Sequence, residues 1–155
     1  MLTIASSQTR EAADALAVEF CYVNGKTARR RLVRALHSLL PRIQSVQIPC
    51  FARLVATLSQ SIKDIGPPLV TSLEGEFFHL FHKKDQSAAA SEQRQRNARF
   101  LAELCKFHVC SSNTLFHVLK ACLDEFTQQN IDVACTSRYS HVKLEAFADD
   151  LTRTR

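Results

Sequence analysis

Cys105, His108 and Cys110 stand within six residues, and His79 and His82 within four. That density of thiols and imidazoles is the first chemistry the chain offers. On a helix, Cys105 and His108 fall close together. A structural zinc, however, needs four closed ligands, usually in two clusters with CxxC-type spacing. The second cluster is missing, so no metal and no other cofactor is expected. Nucleophilic catalysis fares no better. No cysteine or serine lies on a glycine-rich turn beside a base and an orienting carboxylate. Three scattered glycines cannot build a phosphate-cradling loop. The paired acids Asp149-Asp150 lie in a weakly patterned tail. The expectation is a protein that is not an enzyme.

The remaining chemistry is basic. Residues 26–40 read as a helix whose apolar arc holds Ala28, Leu32, Ala35, Leu36 and Leu39. Lys26, Arg30, Arg31, Arg34 and His37 fall on the other arc. The first four make a positive ridge that either contacts phosphates or an acidic partner, or is simply a solvated face. No aromatic residue is interleaved there, so base stacking is not supported. Arg29 falls inside the apolar arc. It either snorkels or pairs with a carboxylate between helical hairpins. Lys83-Lys84 close a helix, where cations complement its dipole.

These residues need a frame, and the composition says which. The chain has 155 residues, 46% hydrophobic and 23% charged, with only three glycines and four prolines. That is one domain's worth of chain with enough apolar content for a core. It is too little turn chemistry for a sandwich, a barrel or a doubly wound sheet. The formal charge is +5, with the basic excess concentrated in the first third. A field of that sign favours anionic partners without proving one. The six cysteines form no framework and read as reduced, mostly buried thiols of a cytoplasmic protein. The segment Glu19-Phe-Cys-Tyr22 is one such apolar setting. The N-terminus does not resemble a signal peptide, since Arg10, Glu11 and Asp14 break its apolar stretch. No run approaches the roughly 18 apolar residues of a membrane span, so no membrane is expected as a partner.

Periodicity predicts helices over 6–23, 26–40, 49–65, 67–82, 92–107 and from a cap at Ser111, Ser112 or Asn113 to 129. The first is expected to bury Ala12, Leu16, Phe20 and Val23, and to stop at Asn24-Gly25 with a left-handed residue. The third is expected to turn Arg53, Gln60 and Lys63 away from its apolar stripe. The sixth is expected to bury Leu115, Val118, Leu119, Cys122, Leu123 and Phe126. Residues 83–93 read as a polar, mobile connector. A seventh helix starts near Asn130. Short breaks alternate with longer ones, and short breaks reverse the chain. The reading is therefore all-α: an α-solenoid of about three antiparallel helical hairpins over residues 1–136, followed by a divergent tail over 137–155.

Five segments add a resemblance. They are Lys26-Thr-Ala-Arg-Arg-Arg-Leu-Val-Arg-Ala-Leu36, Phe51-Ala-Arg-Leu-Val-Ala-Thr-Leu58, Lys83-Lys-Asp-Gln86, Asn97-Ala-Arg-Phe-Leu-Ala-Glu-Leu-Cys-Lys-Phe107 and Ile131-Asp-Val-Ala-Cys-Thr136. In this order they resemble the middle-domain family of eukaryotic initiation factor 4G, and its mRNA-surveillance branch most of all. The resemblance implies a HEAT-like stack of antiparallel helical hairpins, here incomplete. It implies a non-catalytic scaffold acting in nonsense-mediated mRNA decay. In that branch the full-length protein links an RNA helicase to an exon-junction-associated factor. The alternative it leaves is an RNA-binding domain of the translation-initiation type that uses helix 26–40. Arg53, Arg99 and Glu103 match motif positions and, with Arg29, are expected to be structural. After Thr136, Ser137-Arg-Tyr-Ser-His-Val-Lys-Leu144 departs from the family pattern.

Overall fold

The computed structural model describes residues 9–23, 25–83 and 87–140, the last four by backbone alone. Seven α-helices occur among them, and no strand. They are α1 (Arg10–Tyr22), α2 (Lys26–Leu39), α3 (Ile48–Ser61), α4 (Gly66–His82), α5 (Ala88–Lys106), α6 (Ser112–Asp124) and α7 (Gln128–Ser140). A short 3-10 turn, Ser45–Gln47, leads into α3. The helices stack in chain order in two layers. In one, α1 packs on α3, α3 on α5, and α5 on α7. In the other, α2 packs on α4 and α4 on α6. Each hairpin therefore seals the apolar side of the next, which is the arrangement of an α-solenoid.

Local chemistry starts the helices. The Thr9 hydroxyl accepts from the Ala12 amide at 3.2 Å, and Glu11 complements the first turn of α1. The buried stripe of α1 is Ala13, Ala17 and Phe20 rather than Ala12, Leu16, Phe20 and Val23. Leu16 is half-buried against the core, and Val23 is 62% exposed. Alanines lie on both sides of this helix, so its pattern fixes its rotation weakly. Contacts with α3 decide it. Gly25 is extended and precedes α2 as its N-cap, so it is not the left-handed stop expected of it. Asn24 lies outside the described residues.

Pro49 occupies the first turn of α3, where its missing amide costs nothing. The helix ends at Ser61, four residues earlier than the periodicity suggests. Ile62 turns extended so that the chain can reverse before α4, yet Ile62 and Ile65 stay buried. Apolar spacing alone does not reveal that break. Gly66 opens α4 at a close approach: a Cβ there would stand 2.9 Å from Val109 Cγ1 and 3.2 Å from Ser59 Oγ.

The expected connector over 83–93 is mostly helix. Ser87 caps α5, its hydroxyl accepting from the Ala90 amide at 3.2 Å, and Ala88 to Ala90 are the strongest helix formers. Residues 84–86 lie outside the described residues. Helix α5 is the hub: it touches α3, α4, α6 and α7. Phe100, Leu101 and Leu104 are buried in it, as are the polar Arg94, Asn97 and Glu103. Its end is a Schellman motif. The Val109 amide donates to Leu104 O at 3.0 Å, and the His108 amide to Cys105 O at 2.9 Å. His108 is left-handed, with φ 60°.

Ser111 caps α6. That helix stops at Asp124, five residues before the expected end, and Leu123 and Phe126 are 58% and 74% exposed instead of buried. Leu115, Val118 and Cys122 already fill its inward arc. The Asn130 side chain then donates to Glu125 O at 2.6 Å and ties the α6–α7 turn. Helix α7 runs on through 137–140. The remainder of the expected tail, 141–155, lies outside the described residues.

Ion pairs clip the hairpins together. Arg53 does not simply face away: its Nε and Nη2 donate to the two Asp14 carboxylate oxygens at 2.9 and 2.8 Å, joining α3 to α1. Hydrogen bonding to Arg53 holds the Asp14 carboxyl below its ordinary value. A depressed folded value means stability that is complete above the unfolded pKa of about 3.9 and is lost as pH falls through the folded one. Denaturant titrations should therefore show Asp14→Asn less stable than the native chain at pH 7. The gap should shrink below about pH 4 and vanish at lower pH. A gap that is constant from pH 7 to 2 would contradict the pair.

The left-handed His108 gives a second test. The strain of a non-glycine residue there is about 1–2 kcal/mol, partly offset by glycine's extra unfolded freedom of about 0.5–1 kcal/mol. His108→Gly should raise stability by on the order of 0.5–1 kcal/mol, read from the urea midpoint. A lowered midpoint would mean that the imidazole itself holds the turn.

Candidate functional site

The basic residues of α2 converge with the start of α4. A groove of about 630 Å³ lies between the two helices. Lys26, Arg29, Arg30 and Arg34 line one wall, with Val33 between them. Pro68 and Ser72 of α4, with Asp64 from the preceding loop, line the other. Arg31, which the sequence places on the same ridge, is exposed but outside the groove. Arg29 Nη1 donates to Asp64 Oδ2 at 2.7 Å, across the break between the first two hairpins. No carboxylate among the described residues pairs with Lys26, Arg30 or Arg34.

The local electrostatics of α2 are unfavourable. Its first turn carries no acid, and its N-cap, Gly25, offers no side-chain hydrogen bond. Lys26, Arg29, Arg30 and Arg31 crowd the end where the helix dipole is already positive. Cations and free amides there together attract an anion. The charges and their arc are legible in the sequence. The opposite wall is not, because Pro68 and Ser72 reach the groove only through the packing of α4 on α2.

The other expected positions are held differently. Arg99 is half-buried, and its Nε has no hydrogen-bond partner among the described residues. Glu103 is buried, with Lys106 Nζ 3.9 Å away. The two do not meet as an ion pair. Sequence reasoning missed three further polar links. His37 Nε2 lies 2.9 Å from Glu76 Oε2, and the Gln93 side-chain amide donates to Glu76 Oε1 at 2.5 Å. Arg96 donates to the Pro41 carbonyl and, at 2.6 Å, to Glu92. The buried Arg94 donates to Gln129 Oε1 at 2.5 Å and reaches Asn130 Oδ1 at 3.4 Å. Except for the i,i+4 pair of Arg96 with Glu92, which helical spacing could have announced, these contacts join residues far apart in the chain, so no local signal announces them.

The cysteines divide by burial. Cys105, Cys110 and Cys122 are buried, Cys50 half-buried, and all six are free. Cys21 and Cys135 are exposed, so the apolar neighbours of Cys21 mislead. Burial pushes the Cys110 and Cys122 thiols up to about 11 and raises Cys105 as well. At neutral pH these three are protonated and poor nucleophiles. Among the described residues, no three His, Cys, Asp or Glu side chains form a group that could hold a metal. No helix among them is long and apolar enough to cross a membrane.

A two-layer helical stack with a cationic groove defines a class of helical-repeat domain. The MIF4G domain profile matches residues 7–140, and the chain belongs to that family. Among individual relatives it is 50% identical over 127 residues to "Regulator of nonsense transcripts UPF2" of Arabidopsis thaliana, covering 82% of this chain and 10% of that protein. It is 38% identical over 158 residues to "Regulator of nonsense transcripts 2" of Homo sapiens, covering 94% and 12%. It is 30% identical over 133 residues to "Nonsense-mediated mRNA decay protein 2" of Schizosaccharomyces pombe, covering 86% and 12%. The chain thus spans about a tenth of the length of these relatives.

If Lys26 works against its own helix, reversing it should help. Lys26→Glu should raise stability by about 0.3–1 kcal/mol at low salt, less at high salt. Thermal unfolding at two ionic strengths checks this; a loss of stability would show that Lys26 makes a stabilising contact.

Proposed function

We propose that this chain is a non-catalytic scaffold segment of a nonsense-mediated mRNA decay factor. The observation that carries the reading is the 50% identity to a regulator of nonsense transcripts over 82% of the chain. The physical role is shape. Stacked hairpins sealed by α5 hold surfaces at fixed spacing, and the groove between α2 and α4 is one such surface. The buried, protonated thiols give no support to a cysteine nucleophile. The partners of the longer protein would be an RNA helicase and an exon-junction-associated factor, in the cytoplasm. One observation favours a second reading. The cations facing the groove could instead contact RNA phosphates, as in an initiation-type middle domain.

Disrupting the gene in its own cells tests the scaffold reading. The half-life of a reporter mRNA with a premature stop codon should lengthen severalfold. The matched reporter without that codon should be unchanged. Equal half-lives for the premature-stop reporter before and after disruption would end the assignment.

A further inference from the structure

The groove's own residues narrow the ligand. Lys26, Arg30 and Arg34 recur at every fourth position of α2, so they rise about 6 Å per step along the helix. Alternate residues of an extended peptide point to one side and lie roughly 6.6–6.8 Å apart. The two spacings match over three charges. Pro68, exposed on the facing wall, adds apolar surface opposite the cations, suited to aliphatic side chains, while Val33 between them is 9% exposed. No aromatic residue among the described ones lines the groove, so bases would have nothing there to stack on. One anion is already seated: the Asp64 carboxylate on Arg29, at 2.7 Å. That carboxylate is 73% exposed, so it can be exchanged without opening the core.

We propose that the groove between α2 and α4 docks an extended acidic protein segment carrying carboxylates on every second residue, with Asp64 as its tethered competitor. The incoming segment meets Lys26, Arg30 and Arg34 first, and its own carboxylate then replaces Asp64 on Arg29. Asp64 lowers the affinity for any weaker anion, which confers selectivity by like-charge repulsion. The inference rests on the scaffold reading in that a docking groove serves a chain that holds partners.

Fluorescence anisotropy on the 155-residue chain tests it. The probe is a labelled peptide of four Val-Glu repeats. The comparators are its serine analogue, a peptide with the same glutamates contiguous, and a ten-nucleotide oligouridylate. The alternating peptide should bind, and the other three should bind at least tenfold more weakly. Asp64→Ser should tighten the peptide about fivefold, the effect of removing one like charge a few ångströms away in water. Arg30→Glu with Arg34→Glu should weaken it at least tenfold while the helical far-ultraviolet signal stays. Stronger binding of the oligouridylate would make this a nucleic-acid groove and overturn the proposal. So would equal binding of the contiguous peptide, or an Asp64→Ser variant that binds no better than the native chain. The surveillance reading fails separately: peptide binding without any change in reporter half-life would reject that reading and leave the groove standing. A reporter effect without peptide binding would do the reverse.

Discussion

Helix α5 is enclosed by α3, α4, α6 and α7, and the stack could not lose it without opening both layers. It buries one stripe from Ala90 to Ala98 and then every residue from Phe100 to Cys105, all the way around. Phe100, Leu101 and Leu104 each contribute about 1.5–3 kcal/mol by burial. Small residues, Ala98 and Ala102, let neighbouring helices come close. The same enclosure leaves Asn97 fully buried with neither side-chain polar atom bonded among the described residues. An unmade hydrogen bond in the interior costs roughly 1–3 kcal/mol. The apolar contacts of α5 outweigh that.

Polar links then set how the hairpins sit on one another. Arg53 with Asp14 joins α3 to α1, Arg29 with Asp64 joins α2 to the next hairpin, and Arg96 reaches the Pro41 carbonyl beyond α2. Exposed pairs of this kind add little stability, about 0–1 kcal/mol in general. Their geometry matters more. A bidentate arginine accepts one direction of approach, so it pins rotation and register where apolar packing alone tolerates sliding. That is how α1, with alanine on both sides, comes to bury Ala13 and Ala17 rather than Ala12 and Val23.

The start of α2 runs against these rules. Here cations gather at a positive helix end without an acid or a side-chain cap. A local conflict of this kind on an exposed helix end is what a binding surface produces. The groove gives the conflict a use: three cations that no described carboxylate pairs, a fourth held by Asp64, and an apolar Pro68 on the facing wall.

Helical class, the order of the hairpins and the basic arc of α2 were all determined by sequence alone. Each depends on spacing within a single helix, and that spacing survives in one dimension. The Ser87 cap and the alanines behind it are equally local, but the polar run over 83–93 masks them as a connector. The tertiary structure decided the rest. It set the rotation of α1, the early ends of α3 and α6, the exposure of Leu123 and Phe126, and the far wall of the groove. Those features depend on which neighbour lies alongside, and two helices far apart in the chain meet only once the stack has formed.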